Sequence, residues 1–262
     1  MGLFRSLGIG LFILALPVAL IATNIRFAAS EPRVYDYSVR QYGAASAASI
    51  PEAELLRANR GLVRYLTADD VGPLRIEVRD SRGRTESLFN ARETAHMADV
   101  RALFQALFKV QVIALAVALS LAVLMLVWWP VRALAAAALF GSLLTMGVIG
   151  LAGAVAMTGF DSAWSQFHFL AFSNDFWRLD PNTDHLIQMF PEPFWRDITT
   201  LIGAFTLLEA LLIGGLAFAY LIATKPHGEP KVVPEPRPRL PRPPVAQPPP
   251  RIPPPQPRHY IH

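Results

Sequence analysis

Four long stretches of this chain are free or almost free of charged residues. Each is long enough to cross ~30 Å of hydrocarbon at ~1.5 Å per residue, and a helix is the one single-segment structure that satisfies its own backbone hydrogen bonds in lipid. The first lies between Arg5 and Arg26 and contains Pro17, where a kink is expected. Arg5 also fits the basic end of a signal peptide, but the apolar run continues to Ile21 without a small-residue cleavage site, so it reads as a retained span. The second lies between Lys109 and Pro130 and ends in the interfacial pair Trp128-Trp129. The third runs from Ala133 to about Met157, with Gly141, Gly147, Gly150 and Gly153 permitting close helix packing. The fourth, from about Ile198 to Thr224, carries a single carboxylate, Glu209, which is costly in lipid and by default points inward, for packing or for chemistry.

Composition narrows the chemistry. Hydrophobic residues make up 53% of the chain and charged ones 17%, too apolar for an ordinary soluble domain. The absence of cysteine excludes disulfides, thiolate metal sites, iron–sulfur clusters and a cysteine nucleophile. G-x-S-x-G, H-E-x-x-H and phosphate-loop motifs are missing as well, so chemistry here must use histidines, carboxylates or backbone groups. The net charge of +4 lies largely in the C-terminal tail without interleaved aromatics, which gives no support to a nucleic-acid partner. It is better read as orientation: Arg132 lies between spans two and three, and Lys225, Lys231, Arg237, Arg239 and Arg242 follow span four, whereas the Asp161–Arg196 connection holds five acids and two arginines. Positive flanks mark the cytoplasmic side, which puts both termini inside and the two larger connections outside.

The segment between the first two spans has the composition of a small folded unit. Arg33 to Val39 reads as a strand, and Pro51 to Leu66 as a helix with Glu52 and Glu54 at its positive end and Leu55, Leu62 and Leu66 on one face. Leu74–Arg79 alternates with period two, breaks at Asp80-Ser81-Arg82-Gly83 and resumes over Thr85–Phe89, a hairpin pattern. Asn90 followed three residues later by Glu93 is a helix-start signature leading into span two. Beyond span four, 15 of the 23 prolines fall within Lys225–His262, a composition that cannot form a packed core and favours polyproline II; no partner is assigned to it.

Two segments carry histidines of interest. On a helix, Arg92, Glu93 and Asp99 lie at i−4, i−3 and i+3 from His96 and can surround one imidazole face, although an amphipathic helix whose charges pair at its surface has the same pattern. Between Asp161 and Trp195 the chain is rich in Phe and Trp without tyrosine, which suits the lipid headgroup level. If Asp161 caps a short helix, Trp164, Phe167, His168 and Ala171 share a face, with His168 either in a site or snorkelling beside tryptophans. Asp180 and Asp184 read as turn and cap acids in preference to metal ligands.

Asn90, Glu93, His96, Asp99 and Val100, together with Phe167-His168, Phe172-Ser173-Asn174, Trp177, Leu179-Asp180-Pro181, Asp184, Leu186-Ile187 and Met189-Phe190-Pro191, resemble the bacterial lipoprotein intramolecular transacylases (Lit) and a wider group of four-span membrane proteins. The resemblance covers roughly residues 1 to 224. It implies transfer of the sn-2 acyl chain of a diacylglyceryl-modified N-terminal cysteine to that residue's own α-amino group, giving the lyso-form lipoprotein of the bacterial cell envelope. His96 and His168 match the family's catalytic pair, one as base for the amine and the other as acid or oxyanion stabiliser. Arg92, Glu93, Asp99, Asn174, Trp177, Asp180 and Asp184 are then candidate substrate-binding residues, and no metal or cofactor is expected. The competing readings are a non-catalytic lipid- or lipoprotein-binding membrane protein, and a metal-dependent hydrolase joining both histidines with Asp180 or Asp184.

The expected architecture is an α-helical polytopic membrane protein with four transmembrane helices, a small mixed α/β extracytoplasmic domain and an interfacial aromatic segment. Its expected divisions are a first span over 1–26, the extracytoplasmic domain over 27–106, spans two and three over 107–160, the interfacial segment over 161–196, the fourth span over 197–224 and a cytoplasmic tail over 225–262. Its expected partners are diacylated lipoproteins and membrane lipids.

Overall fold

The computed structural model describes residues 2–225, so the proline-rich tail and the readings attached to it lie outside the described residues. Along the chain these are α1 (Gly2–Ser30), α2 (Pro32–Gln41), α3 (Ala44–Ala48), α4 (Glu52–Thr67), β1 (Glu77–Arg79), β2 (Thr85–Ser87), α5 (Ala91–Trp128), α6 (Val131–Met157), α7 (Phe160–Ala171), α8 (His185–Met189) and α9 (Glu192–Ala223). The helices α1, α5, α6 and α9 are long and apolar enough to cross a membrane. Pro17 lies inside α1 without ending it.

α1 packs along α5, α6 and α9, and α6 packs along α9, whereas α5 and α6 touch little although a short turn joins them. Phe12, Leu16, Ala118, Met125 and Ala137 form the apolar centre of this bundle. Lipid tails are as apolar as leucine, so close packing must hold such helices together. Glycine supplies it: a Cβ on Gly141 would sit 2.9 Å from Leu16 Cδ2, and one on Gly214 2.9 Å from Ser142 Cβ. Gly141→Val will therefore force α1 and α6 apart and cost about 1–3 kcal/mol, read as a lowered midpoint of thermal unfolding in detergent. An unchanged midpoint would remove the packing role given to this glycine.

Polar side chains cross-link the same helices. Asn24 Nδ2 donates to Glu209 Oε2 at 2.8 Å and to Thr206 Oγ1 at 3.2 Å, which ties α1 to α9. Arg26 Nη1 donates to Gln111 Oε1 at 3.0 Å, and Gln111 Nε2 donates to Thr23 Oγ1 at 3.2 Å, which ties α1 to α5. Glu209 thus stands between helices with a donor of its own. At the other end of the bundle Arg132 donates to the Leu221 carbonyl and to Thr224 Oγ1, binding the last turn of α9.

The connection between α1 and α5 is more helical than its sequence suggests. Arg33–Val39 forms α2 and not a strand: Glu31 accepts the Arg33 N–H, Pro32 stands in the first turn, and Tyr35, Ser38 and Val39 are buried at helical spacing. Once the chain packs, the period of burial outweighs the β propensity of Val34 and the tyrosines. α4 covers the expected helix, with Pro51 at its N-cap position and Leu55, Leu62 and Leu66 buried. The hairpin forms, but its paired stretch is short, with Val78 opposite Glu86. Beside it, a Cβ on Gly61 would meet Ile76 Cδ1 at 3.3 Å, so β1 lies close against α4. This region shares one apolar core with the chain that precedes and opens α9, for Leu55, Leu62, Val78 and Leu88 belong to the same cluster as Met189 and Phe194.

Candidate active site

The N-terminus of α5 is built by local sequence. Asn90 accepts the Glu93 N–H at 3.0 Å, and Glu93 Oε2 accepts the Asn90 N–H at 2.8 Å, a complete capping box. From there α5 runs unbroken for 38 residues, ~57 Å at ~1.5 Å per residue, nearly twice the ~30 Å thickness of hydrocarbon. His96 lies one and a half turns in, buried at 6% exposure. α7 starts after Gly159, whose φ of 148° only glycine adopts readily, so Asp161 falls within the first turn and does not cap it. The face of α7 that turns inward carries His168, also buried.

The two imidazoles face each other across 6.0 Å between centroids, with planes 35° apart. Aromatic rings enclose them. Phe172 stands 5.1 Å from His96 and 5.6 Å from His168, while Trp164 and Trp177 lie 4.8 and 4.9 Å from His168. Trp164 in turn stacks on Trp195 of α9 at 5.0 Å, so α7 is braced against α9 while its histidine meets α5.

His168 Nδ1 lies 2.8 Å from the Trp164 carbonyl oxygen, one turn back along α7. A carbonyl only accepts, so Nδ1 carries the hydrogen and the neutral ring keeps its lone pair on Nε2. Burial pushes the His168 imidazole below the ordinary histidine range, against the upward pull of this hydrogen bond. Among the described residues, His96 Nδ1 is buried without a partner. An orphaned lone pair is better tolerated in the interior than an orphaned N–H, which places the His96 hydrogen on Nε2.

The charged neighbours of His96 are tied to a second chain segment. Arg92 Nη2 donates to the Asp175 carbonyl at 2.9 Å, and Asp99 Oδ2 accepts Asn174 Nδ2 at 2.8 Å. Glu93, 1% exposed, accepts the Leu186 N–H at 2.6 Å on Oε1, so both its oxygens hold backbone donors. Asp184 is buried, taking Asn90 Nδ2 at 2.8 Å on one oxygen and the Asp180 N–H at 2.7 Å on the other. Asp180 is exposed and closes a turn by accepting the Asn182 N–H at 2.9 Å. Trp177 packs directly on His168. Among the described residues no group of three or more His, Asp or Glu side chains is placed to hold a metal ion.

Two contributions to the site are not assigned from sequence. Phe172 is among the residues that carry the resemblance, yet nothing in its local pattern gives it the place it takes between the two histidines. The Trp164 carbonyl is a backbone group and leaves no mark in sequence beyond its position four residues before His168.

Fold and site together define a helical multi-pass membrane protein with a buried, aromatic-walled histidine pair at one end of its bundle. A family profile described as lipoprotein intramolecular transacylase Lit matches residues 10–195, and the chain belongs to that family. Its structure is similar to the in meso structure of the membrane-integral lipoprotein intramolecular transacylase Lit from Bacillus cereus, with 21% identity, a TM-score of 0.74 and coverage of 86% of this chain and 99% of that one. A structure of the Bacillus cereus protein with one histidine replaced by alanine aligns with a TM-score of 0.70, again at 21% identity, over 86% of this chain and 96% of that one. Among curated proteins no sequence matches.

Proposed function

We propose that this protein carries out the transfer for which its family is named, on lipoproteins whose N-terminal cysteine bears a diacylglyceryl group, and that His96 and His168 are its catalytic residues. The observation that carries the reading is the facing pair itself, walled by Phe172, Trp164 and Trp177, which can hold and move a proton in a transfer whose acyl acceptor is the substrate's own amine. The nucleophile then comes from the substrate. The α-amino nitrogen attacks the sn-2 ester carbonyl, the carbon–nitrogen bond forms, and the bond to the glycerol oxygen breaks. The nitrogen gives up one proton and the glycerol oxygen receives one, so a single shuttled proton balances the step. His168, with its lone pair on Nε2, takes the proton from the amine and returns it to the departing oxygen, while His96 donates an Nε2–H hydrogen bond to the oxyanion. An amine with a pKa of ~8 and an imidazole below ~6.5 can exchange this proton without a large barrier.

The remaining candidates take positioning roles. Glu93, Asp184, Asp99 and Arg92 bind the 174–186 chain to α5, and thereby hold Phe172 and Trp177 around the pair. Membrane orientation completes the reading: the α1–α5 connection and the 161–196 segment face the extracytoplasmic side, with the aromatic segment at the interface and both termini in the cytoplasm.

Two measurements test this. Mass spectrometry of lipoprotein N-termini, with and without the protein, should show a cysteine N-acylated with one acyl chain missing from glycerol only when the protein is present. Unchanged diacyl forms in both samples would leave a binding protein in place of an enzyme. For orientation, a thiol introduced as Ser46→Cys should react with an impermeant reagent in intact cells and one introduced as Val245→Cys should not; the reverse pattern overturns the sidedness.

A further inference from the structure

The end of the bundle that bears the histidines is polar on one side and apolar on the other. α5 carries Arg92, Glu93, Asp99 and Arg101 there. α6, by contrast, has no charged residue from Ala133 to Met157, ~37 Å of helix at ~1.5 Å per residue, more than the hydrocarbon alone requires. The apolar surface does not stop at its last turn, where Met157 is 90% exposed. It continues on the outward side of α7 through Phe167, Phe169 and Leu170 (87% exposed) and on to Phe176. A second observation bears on what covers this face. Arg178 lies over the rings of Phe169 and Trp177 at 5.3 and 5.2 Å, with its side chain half exposed and its Nε 3.4 Å from Asp175 Oδ1. A cation seated at the rim of a ring-covered apolar surface is the pattern of a side chain reaching for lipid phosphates.

We propose that the outward face of α7 and Phe176 lie in the acyl region of the leaflet, with Arg178 at the level of its phosphates, and that this face is the surface along which the lipoprotein's acyl chain reaches the histidines. It accounts for a geometric difficulty. His96 stands twelve residues beyond Phe108, ~18 Å along α5, where Arg26 over the Phe108 ring at 4.9 Å marks a polar level. On the α5 side an acyl chain would have to leave lipid to arrive; on the α6–α7 side the apolar surface is continuous from the span to His168. The acyl-delivery part of the proposal rests on the catalytic reading above, and the immersion of α7 does not.

The absence of native cysteine allows single nitroxide labels at Leu170→Cys and, as a water-facing control in the hairpin turn, at Arg82→Cys, in the full chain reconstituted into phosphatidylcholine–phosphatidylglycerol vesicles. The label at 170 should collide preferentially with oxygen and the label at 82 with a water-soluble nickel chelate. Equal nickel accessibility at both positions overturns the immersion, as does a label at 170 shielded from both reagents, which would mark a protein contact. In the second arm, Leu170→Glu should lower conversion of a vesicle-embedded diacylated lipoprotein by at least ~10-fold, since a carboxylate on a lipid-facing surface is strongly disfavoured, while a short-acyl lipopeptide in detergent is converted within about twofold of the parent. Equal loss on both substrates by a folded variant overturns acyl delivery. If the parent protein converts neither substrate, the catalytic reading fails while the labelling result stands by itself.

Discussion

Replacing His96 or His168 with Ala or Gln is expected to lower formation of the lyso-form lipoprotein by at least ~10²-fold each, the contribution typical of general acid–base groups. The double variant should be little slower than the slower single one, because two groups acting on one proton and one oxyanion fail together. Both rings sit in an aromatic cage and, among the described residues, no hydrogen bond ties either to a carboxylate, so the folded state should survive both changes. The pH profile carries a second signature. His168 must be neutral to accept the proton, and burial depresses its pKa, so the free base persists below the usual histidine value of ~6.5 and activity on that account is lost only at lower pH. A separate fall should occur as pH drops through ~8, where the substrate amine protonates, and it should move with the amine when the substrate is changed. Near-normal conversion by both single variants, or isolation of an acylated enzyme, would end the intramolecular mechanism.

Glu93→Ala is the second change expected to have a large effect, and for a structural reason. Its carboxylate accepts the Asn90 N–H that starts α5 and the Leu186 N–H in the first turn of α8, in a position 1% exposed. Removing it leaves the backbone N–H groups of Asn90 and Leu186 without their acceptor, while the Asn90 side chain still caps residue 93, at a cost of about 2–5 kcal/mol. Glu93→Gln should recover only part of this, because the amide NH2 would face an N–H in place of the lost oxygen. Thermal unfolding measures the stability, and hydrogen exchange at the Leu186 amide reports whether the segment has come away from α5. Activity should fall in step with that exchange. A Glu93→Gln protein with parental stability and slow exchange at Leu186 would show that the clamp does not hold the site.

Much of this protein is legible from local pattern. The four spans follow from length and absence of charge, because lipid allows no other single-segment solution. The Asn90–Glu93 capping box is local too, as both partners lie within one turn. The spacing of Arg92, Glu93 and Asp99 from His96 lets all three surround the imidazole on a helix, but it says nothing of partners outside the helix. Each is satisfied by a group from the 174–186 chain: a carbonyl of Asp175, the amide of Asn174, the N–H of Leu186. Helical periodicity places neighbours on one helix; it cannot rank them against partners that arrive from another segment.

The sequence by itself therefore determined the class of protein, its four spans and the start of α5, since these depend on hydropathy and capping at short range, while the resemblance to the family singled out His96 and His168. Only tertiary structure decided that Arg33–Val39 is helical, because the burial of Tyr35, Ser38 and Val39 against the rest of the core outweighs their β propensity. Only it brought His96 and His168, seventy-two residues apart in sequence, to 6.0 Å, and set the tautomer of one by a backbone carbonyl. Long-range packing costs chain entropy that no local window records, and it is offset here by one apolar core joining α4 and the hairpin to the chain that enters α9.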